Sequence, residues 1–136
     1  MSFPFRHSYS GQRAISVPVT LSSSASSYVD VLAKLDTGST YCIFDGTYAV
    51  LLGLDLYSGI SQWIRTATGA FQAFGHEVTL SVFDFEWQAV VYFAEGETLS
   101  LNVLGRFGFF DRFQIGLVDY DEQLYLGLHG QDESLA

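Results

Sequence analysis

The sequence predicts an all-β domain, a small closed barrel with one or two short helices. Three observations carry that reading. Apolar and polar residues alternate over 15–21 and again over 76–83, the two-residue period of a strand with one buried face. Serine, glycine and acidic residues break the chain at short intervals, as turns between paired strands do. Residues 45–53 have helical spacing, and neither a linker nor an internal repeat divides the chain. Its 136 residues are therefore expected to form one domain. The expected division is an N-terminal arm over 1–12, a single domain over 13–128 and a polar, frayed tail over 129–136.

Taken in order, the arm mixes Phe3, Phe5 and Tyr9 with Ser and Gly, and is expected to be floppy or to order on a second subunit. Ile15, Val17, Val19 and Leu21 define a half-buried strand. Residues 22–27, almost all serine, read as a turn. A second strand then leads from Tyr28 to Asp36, and its 31–35 segment is apolar except for Lys34. The two strands make a hairpin. Residues 40–44 are strand-like. Ala49 and Leu52 are among the apolar positions of a helix over 45–53, capped by Asp45 or Thr47 and stopped at Gly53. Residues 54–59 connect to a long hairpin over 63–75 turning at Thr68-Gly69, where glycine suits a positive φ. Its outgoing limb continues to Phe83, Asp84-Phe85-Glu86 turns, and 87–93 is another strand. Glu95-Gly96-Glu97 is a loop. The apolar segment 99–104 ends at Gly105-Arg106, and 107–113 reads as a short helix. Residues 115–118 and 124–126 form a terminal hairpin about 119–123.

Composition excludes several classes. Hydrophobic residues are 49% and charged residues 15%, which rules out a disordered chain. Twelve Phe, eight Tyr and two Trp are hard to hide in one small core, so some are expected to meet a partner chain. A formal charge of −9, with six Lys and Arg in no stripe, repels phosphate backbones, so nucleic acid is not an expected partner. No run reaches membrane-span length and no leader pattern is seen, so no membrane partner is expected. Cys42 is the only cysteine, which excludes an internal disulfide and fits a cytoplasmic location. Its thiol is expected to be buried and structural. His7, His76 and His129 lack metal-ligand spacing, and no metal or other cofactor is implied. Asp84 and Glu86, like Asp119, Asp121 and Glu122, read as turn residues rather than a glycosidase pair or a calcium loop.

The chemistry is concentrated where the apolar strand ends in Asp36-Thr37-Gly38-Ser39. Turn formation alone explains Asp and Gly there. The motif does not stand alone, however. A Gly-tipped hairpin, Ala67-Thr68-Gly69-Ala70, follows roughly thirty residues later, and then the apolar-apolar-Gly step Val103-Leu104-Gly105, continuing as Arg106-Phe107-Gly108-Phe109-Phe110-Asp111-Arg112-Phe113. This ordered set resembles the retropepsin-like aspartic peptidases, the single-domain relatives of the retroviral proteases, over residues 15–128.

The resemblance implies a homodimer in which each subunit supplies one catalytic Asp36 to cleave a peptide or protein substrate. Two carboxylates about 3 Å apart, at an effective dielectric near 20, repel by roughly 5 kcal/mol, so a facing pair holds one shared proton. One member then acts as base towards water while the other donates to the peptide carbonyl. By resemblance Thr37 locks the two loops across the dimer. Gly38 allows their close approach and turns its N–H to a carboxylate oxygen, and the Ser39 hydroxyl holds the outer carboxylate oxygen. Leu104 and Gly105 thread behind the loop as its floor, and Ala67, Thr68, Gly69 and Ala70 form a flap over the substrate. An extended peptide would pair as an added strand, with apolar pockets taking sizeable hydrophobic side chains. One departure stands out: Thr40 and Tyr41 occupy the region where the retroviral enzymes carry an acidic partner for the Arg beside the Leu-Gly step, here Arg106. Two other readings follow from the same residues. One is a catalytically silent module that binds peptides or dimerises. The other is a barrel for a small apolar ligand in which Asp36 is a turn residue.

Overall fold

The computed structural model describes residues 3–24, 27–67, 69–96 and 102–128. The Thr68 position, parts of the serine turn, the whole 97–101 segment and the 129–136 tail lie outside the described residues. Among the described residues, ten strands and one α-helix follow in order: β1 Phe5–Ser8, β2 Ser16–Ser24, β3 Ser27–Leu35, β4 Ile43–Asp45, α1 Gly46–Leu51, β5 Ile60–Thr66, β6 Gly69–Val82, β7 Phe85–Ala94, β8 Val103–Leu104, β9 Phe113–Val118 and β10 Gln123–Leu128. Single 3-10 turns lie at Leu56–Ser58 and Asp119–Asp121. The architecture is all-β.

The larger sheet runs β2-β3-β8-β4-β7-β6-β5, and β2 also pairs with β6. That extra pairing, Leu21 opposite Leu80, brings the ladder back on itself into a barrel-like ring, with β5 appended outside it. Val17, Val19 and Leu21 of β2, Val78, Leu80 and Val82 of β6, and Val91 and Phe93 of β7 turn inward, as their two-residue spacing requires. Phe44 and Leu104 complete the filling. A second sheet, β1-β10-β9, packs Leu124 and Leu126 into the same core. Trp87, Phe109 and Phe113 meet edge-on or tilted, with ring centroids 4.9–6.0 Å apart, and join the two sheets. Most of the aromatic surplus is spent here, although Tyr28, Trp63, Phe107 and Tyr120 stay exposed.

Several segments differ from the sequence expectation. The N-terminal arm contains β1, which pairs antiparallel with the chain's own β10, Phe5 opposite Leu126. The serine run is largely strand, with Ser22 opposite Tyr28 and Ser24 opposite Ser27. Serine has no apolar signal, yet its backbone completes the ladder. The Asp84–Glu86 turn is instead Phe83-Asp84, because Phe83 takes φ +54° and Glu86 already faces Ser81. Residues 107–113 form successive turns rather than a helix. Gly108 has φ +104° and donates its N–H to Asp111 Oδ1. For α1, Asp45 is the cap, accepting from the Thr47 N–H at 2.9 Å, and Gly53 follows at φ +74°.

Candidate active site

β3 delivers Asp36 to the surface at the point where its own pairing runs out. Leu35 and Lys34 pair in parallel with Leu104 and Val103 of β8, and the Asp36 N–H then donates to Leu104 O at 3.0 Å. The chain turns at once: the Ser39 N–H donates back to Asp36 O at 3.1 Å, and the Gly38 N–H to Asp36 Oδ1 at 2.9 Å. A Cβ on Gly38 would sit 3.2 Å from that carboxylate oxygen, so a side chain there would crowd the group that the N–H orients. Thr37 is exposed at the outer corner. The Ser39 hydroxyl, expected on the outer carboxylate oxygen, donates instead to Tyr41 O at 2.7 Å and braces the loop. The outer oxygen, Oδ2, has the Lys34 ammonium 3.8 Å away, both groups being partly exposed.

Behind the loop, the Arg106 and Phe107 N–H groups donate to Ser39 O and Thr40 O, both at 2.9 Å. Gly105 makes this possible. A Cβ there would lie 2.2 Å from Tyr41 O and 2.7 Å from Ser39 O, so only glycine lets the two segments cross. Cys42 is fully buried beneath them; its sulfur accepts the Gly105 N–H at 3.3 Å, and its S–H lies 3.5 Å from Phe107 O. Burial pushes the thiol up to about 12. A thiol that resists ionisation is an inert structural one. The Arg106 side chain lies over the Phe107 ring, 5.9 Å from its centroid, and makes no ion pair among the described residues.

The hairpin β5–β6 covers the loop. It pairs continuously from Ile60 opposite Gly75 to Thr66 opposite Gly69, and its tip residues Ala67, Gly69 and Ala70 are exposed. Two adjoining clefts of about 230 and 260 Å³ lie between hairpin and loop. Asp36, Gly38 and Ser39 form one side, and Ile64, Arg65 and Phe71 the other. Trp63 and Tyr41 extend the second cleft. The tip residues line neither cleft. Leu104 and Gly105 are buried under the loop, and Val103 reaches the cleft in their place.

The sequence singled out Asp36, Leu104 and Gly105, whereas the cleft walls include Ile43, Trp63, Ile64, Arg65, Phe71 and Val103, none of which it assigned to the site. No period-two signal marks Ile64, because the apolar residues of 60–66 fall at Ile60, Trp63 and Ile64. The scattered histidines are packing residues where described: His76 Nε2 contacts Leu56 O at 2.9 Å, and His7 lies against Phe83. Asp119 accepts the Tyr9 hydroxyl at 2.6 Å, which holds that phenol up at about 12. Among the described residues no three His, Cys, Asp or Glu gather in a way that could hold a metal ion, and no helix is long and apolar enough to cross a membrane.

An acid at the end of an inner strand, a Gly-crossed floor and a covering hairpin define the retropepsin fold, the fold of single-domain aspartic proteases. A retropepsin-like aspartic protease from Rickettsia conorii matches at TM-score 0.65 and 18% identity, covering 89% of this chain and 98% of that one. EIAV protease, solved with an inhibitor, matches at TM-score 0.56 and 16% identity, covering 74% and 88%. No protein-family model matches the chain, and no curated protein matches its sequence.

Proposed function

We propose that the protein is an aspartic endopeptidase active as a homodimer, with one Asp36 from each subunit. The observation that carries this reading is the hairpin-covered cleft with Asp36 on its floor, the Gly38 N–H fixing one carboxylate oxygen. A single chain offers one such acid, and no second carboxylate lines these clefts. A twofold partner would supply the other. The two acids would share one proton between them. Water bound to both attacks the scissile carbonyl carbon. Its proton passes to the ionised Asp36, while the other Asp36 protonates the carbonyl oxygen. Collapse of the tetrahedral diol breaks the C–N bond, and the nitrogen leaves with a proton from the dyad. The hairpin acts as flap, excluding water and pairing with an extended substrate.

Asp36→Asn tests this directly. Cleavage of hydrophobic peptides is expected to fall by at least about a thousandfold, with dimer mass unchanged by sedimentation. Persistent cleavage by the purified variant removes Asp36 from the chemistry. The silent-module reading keeps one specific support, the Lys34 ammonium beside Asp36 Oδ2, which gives the carboxylate a partner that a dyad does not need. A strictly monomeric wild type that binds peptide without cutting it would favour that reading.

A further inference from the structure

The cleft presents a cation although the chain carries a formal charge of −9. Arg65 lines both clefts, is exposed, and makes no ion pair among the described residues. Lys34, the only lysine of the chain, sits beside Asp36 at the same floor. Asp36 is the sole acid lining either cleft. Each protomer thus brings one cation, Arg65, and one carboxylate, Asp36, to the cleft lining, with Lys34 beside that carboxylate.

We propose that this cleft selects peptides carrying an Asp or Glu side chain near the scissile bond, with Arg65 as the specificity-determining residue. The inference rests on the reading of the cleft as a peptide site. Ile64 and Phe71, directly opposite each other across β5 and β6, supply apolar wall for a hydrophobic neighbour, and Arg65, on the next rung of the hairpin, lines the same clefts. A planar guanidinium offers a donor fork that a carboxylate meets with two parallel hydrogen bonds, which an amide cannot reproduce. Lys34 is already engaged, and a 3.8 Å contact between partly exposed groups is weak. It therefore contributes field rather than a fixed contact. The chain's overall negative charge opposes an acidic peptide. Charges more than about 8 Å away are largely screened at physiological salt, so the local cations prevail.

The test uses blocked octapeptides with a central Phe–Phe bond and a single Glu or Gln scanned through the flanking positions, at physiological salt. Cleavage is measured with wild type, and binding by fluorescence anisotropy with wild type and Asp36→Asn. At one or more positions Glu is expected to exceed Gln by roughly five- to tenfold in kcat/KM and in affinity. That ratio is expected to fall to near one in Arg65→Gln, recover in part in Arg65→Lys and turn towards Lys-bearing peptides in Arg65→Glu. A wild-type ratio of one at every position, or a preference that survives Arg65→Gln, overturns the inference while leaving the peptidase reading intact. If no peptide is cut, the peptidase reading fails, and the binding ratio decides alone: an Arg65-dependent Glu preference upholds the inference, and its absence overturns it.

Discussion

The floor of the cleft and its cover are built in opposite ways. At the floor, three segments converge on Asp36 through backbone hydrogen bonds of 2.9–3.1 Å, over a fully buried Leu104 and Cys42. At the cover, β5 pairs with one neighbour only and alternates exposed with half-buried residues, Ile60 and Trp63 being largely in solvent. On the proposed peptidase reading, catalysis needs an acid held by groups that cannot yield, whereas substrate entry needs a cover that can. Backbone would then serve the first task and side chains the second.

A change at the crossing point should break the floor most severely. Gly105→Ala would push a methyl group into the Tyr41 and Ser39 carbonyls, which are backbone and cannot swing aside. A loss of about 3 kcal/mol is expected, visible as a drop of roughly 10 °C in Tm by calorimetry. An unchanged Tm would mean that the two segments are not locked together.

Alkaline titration probes the same floor more gently. Burial raises the Cys42 thiol from 9.0 to about 12, so the folded state holds that proton more tightly than the unfolded chain. The stability this provides is complete below pH 9 and is lost as pH climbs to about 12. Denaturant midpoints should fall across that window, and Cys42→Ala should flatten part of the fall. Tyr9, raised from 10.0 to about 12 chiefly by its hydrogen bond to Asp119, adds to the fall in the same direction above pH 10, as do Tyr57, raised chiefly by Glu95, and Tyr92, raised chiefly by burial. A midpoint independent of pH from 9 to 12 would contradict both assignments.

The cover should respond the other way round. Trp63→Ala removes a large but exposed side chain, so stability is expected to move by less than about 0.5 kcal/mol. KM for a hydrophobic peptide should rise severalfold with little change in kcat. A large Tm loss with unaltered KM would assign Trp63 to the core instead of the cleft.

This contrast also explains what the sequence could convey. The floor was readable because its residues announce their tasks: an apolar run halting at Asp36, and a glycine at the step where a second segment crosses behind it. The cover was readable only as a hairpin. Its tip carries the turn glycine, but the cleft is lined by residues a few places back on each limb, and their facing depends on how the ribbon lies across the floor. The 107–113 segment misled for a similar reason. Its aromatic spacing suits a helix, yet Phe109 and Phe113 gain more by packing on Trp87, and Gly108 permits the turn that takes them there.

β6 is one uninterrupted strand of 14 residues shared by cover and barrel. From Gly69 to Phe71 its ladder partner is β5; Gln72 O also accepts the Glu95 N–H at 2.9 Å, and at Ala73 it acquires β7 opposite Ala94 and is held on both sides. Mechanically it is a lever whose fulcrum lies at Gln72–Ala73. The free arm beyond that point can swing, while strain on it is absorbed at the pivot before it reaches the inner strands.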